Sequence, residues 1–206
     1  MRSSMKLYSF MIRALCFDFD GTLARFQGDR HFLSQDLMMN LGLTSIPSHF
    51  LEVFRSHEYA PGPVTLASAW RATLEELQIE TNANLDDVAA KFIASYAAQI
   101  KPLPDALEVL RYFTHLPKAI LTNGPSDVQR AAIRASGLED FFQTILVSGD
   151  ADVGFAKPHP RMFELACKRL GVAPTETLMI GDHLDLDVQA AIAVGLQAIH
   201  KPEQSS

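Results

Sequence analysis

The chain has 206 residues, 48% of them hydrophobic and 20% charged, with a net charge of −6 at pH 7. These proportions exclude disordered and fibrous classes, and the acidic balance leaves no basic stripe to neutralise the phosphates of a nucleic acid. No apolar stretch approaches the roughly 20 residues of a membrane helix, and residues 1–11, with Arg2 and Lys6, lack the apolar run and cleavage site of a signal peptide.

In chain order, the first element is the apolar run IRALCF at 12–17, which stops at Asp18. A short run of this kind predicts a buried parallel strand. The stretch 24–101 shows no strand pattern and several helical ones. Two short patterns cover 31–41 and 48–57. A third places Leu66, Ala69, Trp70, Thr73, Leu74 and Leu77 on one face, and a fourth Leu85, Val88, Phe92, Tyr96 and Ile100. APGPV at 60–64 separates the two pairs, and KPLPD at 101–105 reads as the return linker. A helix near 104–113 follows, then strands at 118–121, 144–147 and 177–180, with a short edge strand at 197–200. Between them lie helices opened by Pro125 and Pro160 at first helical positions and closed by Gly137 and Gly171, and one over 186–194 ending at Gly195. Strand–helix alternation predicts an α/β fold, a Rossmann-like parallel sheet core with an inserted all-helical segment. Core residues would be 1–23 and 102–206, and the insertion 24–101. Cys16 and Cys167 sit in apolar patterns, as thiols of a reducing, cytoplasmic compartment do.

The first strands each run into a polar cluster: DFDGT, TNGPSD, SGDAD and GDHLDLD. Ligands of open parallel sheets bind at the carboxyl ends of the strands, so these clusters predict one site. Asp18 and Asp20, at i and i+2, point the same way while strand geometry persists. Gly21 lets the chain turn away sharply, and Thr22 can bond back to that turn. DxDG alone equally suits a strand followed by an Asp-rich turn. Asp182 beyond another strand would add negative charge, and two such charges 4 Å apart repel by about 4 kcal/mol at an effective dielectric of 20. A hard divalent cation relieves this, and an all-oxygen donor set suits magnesium. Asp185 is spaced like a helix cap. Thr122 and the N–H groups of TNG form an ordinary turn or an anion cradle. Pro158 biases Lys157 to extended backbone, so it projects from a loop.

DFDGT, LTNG, KPHP and GDHLDLD, in this order and over nearly the whole chain, resemble the four motifs of the haloacid dehalogenase superfamily. The resemblance implies a helical cap of the first type. It makes Asp18 the nucleophile and Asp20 the general acid/base, and puts Thr122 and Asn123 with Lys157 on the phosphoryl group. Magnesium would bind the Asp18 and Asp182 carboxylates and the Asp20 backbone carbonyl, with Asp187 acting through Lys157 or a metal-bound water. The implied activity is a magnesium-dependent phosphatase, acting through a phospho-aspartate on a small phosphorylated metabolite such as a sugar phosphate or nucleotide. No nucleic acid or membrane would be a partner, and the chain would be a monomer or homodimer. A phosphomutase, a 2-haloacid dehalogenase and a receiver-like signalling module are the competing readings. Family dehalogenases have no acid in the position of Asp20. His183 stands where relatives carry a small hydroxyl residue, and is read as packing over the pocket; His159 is read as capping a helix. Arg25, Arg30, His31, Arg55, His57 and Arg71 are the polar residues of the insertion that could contact a leaving group.

Overall fold

The computed structural model describes residues 11–202. The expectation about a signal peptide falls on residues 1–10, outside them. In chain order the elements are β1 (Ala14–Phe17), β2 (Ala24–Phe26), α1 (Arg30–Leu41), α2 (Phe50–Glu58), α3 (Leu66–Glu76), α4 (Leu85–Ala98) and β3 (Ile100–Pro102). Then follow α5 (Ala106–Tyr112), β4 (Lys118–Thr122), α6 (Ser126–Ser136), β5 (Thr144–Val147), α7 (Pro160–Leu170), β6 (Thr177–Gly181), α8 (Ala190–Val194) and β7 (Gln197–His200). No helix among the described residues is long and apolar enough to cross a membrane.

The five-stranded parallel sheet has the order β5-β4-β1-β6-β7, so β7 is the predicted edge and β1 lies at the centre. Every residue of β1 is buried because helices cover both faces of the sheet. Alternation sends Cys16 into one layer, with Ala119, Leu121, Met179 and the α7 residues Met162 and Phe163. Leu15 and Phe17 enter the other, with Ile120, Leu110 and Ile133. A central strand flanked by β4 and β6 delivers the residue after Phe17 between the ends of two neighbours, Thr122 and Gly181. That is where Asp18 stands.

Residues between β2 and β3 are helical, as the periodicity predicts. Leu66, Trp70, Val88 and Leu41 make their own apolar cluster, to which Val128 of α6 adds a contact from the sheet side. Local chemistry sets the helix starts. Thr65 and Ser68 form a capping box at α3, and the Asn84 side chain accepts from the Asp86 and Asp87 N–H groups at α4. His159 caps α7, accepting from Arg161 N at 3.2 Å, as expected.

Three features differ from the sequence reading. Residues 24–101 do contain strand: β2 and β3 pair antiparallel at the two ends of the segment, with Ala24 opposite Pro102 and Phe26 opposite Ile100. Three-residue strands carrying Arg25, Lys101 and Pro102 are too short and too polar to register as an apolar run. Pro125 is extended (φ −60°, ψ 138°) and precedes the helix instead of opening it. The turn after β6 is a wide π-helical turn over Leu184–Gln189, and only then does regular helix begin at Ala190.

Candidate active site

The backbone fixes the first carboxylate. Asp18 N donates to Ile180 O at 2.9 Å, continuing the ladder past the last residue of β1. The chain then folds back at once: the Phe19 carbonyl accepts from the Thr22, Leu23 and Ala24 N–H groups. This needs Gly21 at φ +81°. Space demands it as well, since a Cβ there would lie 2.5 Å from Asp182 Oδ2. A Cβ at Gly181 would likewise strike the Asp187 side chain.

Lys157 is the hub. Its ammonium donates to Asp18 Oδ1 and to Asp187 Oδ1, each at 2.6 Å, and all three residues are buried. The lysine is placed by Asn123, whose amide donates to Lys157 O at 2.8 Å while its carbonyl accepts from Lys157 N at 2.7 Å. Asn123 therefore spends its side chain on the loop that presents Lys157, leaving its backbone to face the cavity. Asp187 accepts from His183 N through its other oxygen, which holds the π-helical turn against the site. Asp182 accepts from Thr22 Oγ1 at 3.4 Å.

Asp18, Asp182 and Asp187 present carboxylate oxygens within 4.8 Å of one another, so the predicted convergence of the two ends of the chain holds. One buried lysine faces three acidic side chains, and the donors are all oxygen. These residues fit a hard divalent cation. Electrostatics agrees: burial pushes the Asp18 carboxyl up to about 7, Lys157 pulls it down, and Asp187 and Asp20 push it up. Burial by itself would lower Lys157, but Asp18 and Asp187 hold it above its ordinary value. The ammonium stays charged, and a single lysine leaves the three-carboxylate cluster short of positive charge.

Asp20 is held by a residue that sequence reasoning missed. Gln129 of α6 donates from Nε2 to Asp20 Oδ2 at 3.0 Å and accepts from Thr122 Oγ1 at 3.1 Å. It thus spans the second carboxylate and the hydroxyl at the end of β4. Tyr59 was also missed, and so was its neighbour Glu58, whose carboxyl burial pushes up to about 7, with Tyr59 and Arg55 pulling it down and Asp20 pushing it up. A buried polar position on an amphipathic helix was the signal available for Gln129.

Asp18, Asp20, Thr122, Asn123, Lys157, Asp182 and Asp187 all line one cavity of about 320 Å³, with Tyr59 and His183 at its margin. The cluster after β5 does not join them. Asp150 accepts from Ser126 Oγ at 2.5 Å and makes a two-point pair with Arg130, tying the start of α6 to the sheet. His183 lines the cavity while remaining exposed, and its Nδ1 accepts from Leu186 N at 3.3 Å, the cap that Asp185 was expected to supply. Among the polar residues of the helical segment, His57 pairs with Glu76 and Arg71 with Asp86 on the outside. Arg25, His31 and Arg55 do not line the cavity, and the Arg30 side chain is outside the described ones.

The model of the haloacid dehalogenase-like hydrolases matches residues 12–195. The chain belongs to that family. Among curated haloacid dehalogenase-like relatives, the phosphoserine phosphatase of Thermus thermophilus is 43% identical over 84 residues, 41% of this chain and 33% of that protein. The phosphoglycolate phosphatase of Thiobacillus denitrificans is 32% identical over 201 residues, 93% of this chain and 83% of the relative. The chain spans less than two thirds of the first of these relatives. Among solved structures, the HAD-hydrolase YfnB of Bacillus subtilis, bound to magnesium, superposes with a TM-score of 0.64 at 25% identity, over 91% of this chain and 87% of that one. A 2-haloacid dehalogenase of Pseudomonas syringae shares the fold at a TM-score of 0.71 and 22% identity, over 92% and 86%.

Proposed function

We propose that the chain is a magnesium-dependent phosphatase that hydrolyses a small phosphate monoester through a phospho-aspartate on Asp18. The observation that carries this reading is Asp20, a second carboxylate at the same cavity, held in place by Gln129. A halide leaves without a proton, so a dehalogenase has no use for an acid there. An alkoxide leaving from phosphorus does need one.

The Asp18 carboxylate attacks phosphorus in line, and Asp20 passes its proton to the departing alkoxide. Asp20, now ionised, takes a proton from water as that water displaces Asp18 and releases orthophosphate. Lys157 draws negative charge from the phosphoryl oxygens throughout, and Asp187 with the Asn123 clamp keeps it aimed. Thr122 and the Asn123 backbone N–H would meet the same oxygens, the Gly124 N–H being taken by Ser148 Oγ; the Thr122 hydroxyl reaches them by turning from Gln129. Magnesium, held by Asp18, Asp182 and the Asp20 carbonyl, would supply further neutralisation of the phosphoryl charge.

Residues 24–101 are proposed as a helical cap over this mouth, on a core of 1–23 and 102–206. The cap would exclude water and meet the leaving group. The substrate is a small phosphorylated metabolite, as the names of the relatives suggest. Two buried free thiols, Cys16 and Cys167, support a cytoplasmic setting.

Orthophosphate release from p-nitrophenyl phosphate and a panel of phosphorylated metabolites, with magnesium, tests the reading. Asp18→Asn should lower kcat by about 10⁴-fold or more with the circular dichroism unchanged. Wild-type rates in Asp18→Asn would remove the nucleophile, and chloride release from 2-chloropropionate in place of phosphatase turnover would install the dehalogenase.

A further inference from the structure

A second cavity of about 320 Å³ adjoins the first, and it is of opposite character. Trp70, Phe92, Tyr96 and Phe26 form a continuous aromatic wall: Trp70 meets Phe92 edge-on at 5.5 Å, Phe92 stacks with Tyr96 at 6.2 Å, and Tyr96 stacks with Phe26 at 5.1 Å. All four line the cavity, together with Phe50 and Phe54 of α2. Gln129 lines it too, while its amide bonds to Asp20 and Thr122, which line the acidic cavity. At the C-terminal end of α2 the chain turns from one chamber to the other, Glu58 lining the aromatic one and Tyr59 the acidic one. Glu58 is the charged residue among the described residues that line the aromatic chamber, and no cation lines it.

We propose that this chamber receives the leaving group of the substrate and selects a phosphate monoester of an alcohol bearing a planar, largely apolar ring with an N–H or O–H donor directed at Glu58. The inference rests on the phosphatase reading and narrows its substrate class. Aromatic walls favour a ring by stacked or edge-on contact, and the volume lies at the lower end of ligand cavities, roughly 300–1,000 Å³, which suits one ring system. A half-buried carboxylate in apolar surroundings rewards a donor and repels an anion. Small carboxylated phosphates, such as phosphoglycolate or phosphoserine, would bring a second negative charge toward Glu58 and leave the aromatic wall empty. Burial pushes the Glu58 carboxyl up to about 7 even though Tyr59 and Arg55 pull it down.

The test compares kcat/KM for 2-phenylethyl phosphate, 2-(4-aminophenyl)ethyl phosphate, glycerol 1-phosphate and phosphoglycolate. The ring should raise kcat/KM about tenfold or more over glycerol 1-phosphate, and the amino group should raise it about threefold to tenfold further, each within the range of a single apolar or polar contact. Glu58→Leu should abolish the ratio between the two ring esters. Glu58→Gln, which keeps an acceptor oxygen, should retain part of it. A second readout needs no turnover: Trp70 is the chain's single tryptophan, so 2-(4-aminophenyl)ethanol added to Asp18→Asn should change its fluorescence saturably. Hydrolysis of glycerol 1-phosphate or phosphoglycolate at rates equal to the ring esters, with Trp70 indifferent to the alcohol, would overturn the ring preference and leave the phosphatase standing. Saturable binding of the alcohol with no hydrolysis of any ester would sink the phosphatase, and the substrate class with it.

Discussion

The carboxyl edge of the sheet and the helical segment facing it are built on opposite physics. At the sheet edge, polar groups are buried and each is held by another: Lys157 by two carboxylates and Asn123, Asp187 by Lys157 and His183 N, Asp20 and Thr122 by Gln129. In the helical segment the interior is apolar, from Leu66 and Trp70 to Val88 and Phe92, and the ion pairs His57–Glu76 and Arg71–Asp86 lie at its surface. Exposed pairs of that kind contribute little. A network of mutually held charges tolerates almost no displacement, whereas an apolar lining can change shape one side chain at a time. On the proposed function, the chemistry would be fixed in the first region and selection left to the second.

The contrast can be broken most violently at Lys157. Lys157→Met leaves Asp18 and Asp187 buried without their cation and should destabilise the protein by about 3–5 kcal/mol, read from urea unfolding. A midpoint near that of the parent would mean the three groups are not a coupled unit. Next comes the metal. Magnesium at a hundredfold excess over its dissociation constant should add about 2.7 kcal/mol of stability, seen as a rise in Tm that EDTA reverses; Asp182→Asn should lose that rise. A Tm blind to magnesium would take the ion out of the site.

Gln129→Leu tests the residue where the two regions meet. It removes one hydrogen bond from each of Asp20 and Thr122 without altering charge, and should lower kcat about tenfold, roughly 1.4 kcal/mol in the barrier, with a smaller change in KM. An unchanged kcat would make Gln129 a packing residue only.

The smallest effect belongs to Glu58, on the helical side. Its folded pKa of about 7 stands above the ordinary 4.5, raised by burial and by Asp20 against the pull of Tyr59 and Arg55. A raised acid favours the folded state below its ordinary pKa, and that contribution is lost as pH rises through 7. Tm should therefore fall more between pH 5 and 8 for the parent than for Glu58→Gln. Parallel profiles would show that Glu58 titrates as in water.

Much of the first region was legible because its signals are local. An apolar run ending in DFD reads as a strand delivering acids, and KP reads as a loop lysine. Their convergence follows from the parallel order that puts β1 between β4 and β6. What stayed hidden depends on which way a helix or loop faces. Gln129 lies on α6 among ordinary amphipathic residues, and only the docking of that helix reveals it as the link between Asp20 and Thr122. Asp150 carried the same apparent signal as Asp182 yet turns to Ser126 and Arg130, since a polar cluster after a strand can brace a helix as readily as it can face a ligand. Glu58 and Tyr59 sit at the end of α2 with no motif around them, while Arg25, His31, Arg55, His57 and Arg71, which looked eligible, line neither chamber. The β2–β3 pair escaped because two three-residue strands that share two cations and a proline carry no period.

That small ladder has an architectural consequence. Phe26 stands opposite Ile100, so the polypeptide departs for its helical excursion and comes home at adjoining rungs. Everything from residue 27 to residue 99 therefore leaves and rejoins the chain at one junction, and it is tied to the sheet a second time where Val64 bonds to Ser126 and Gly149 and Leu66 to Asp127.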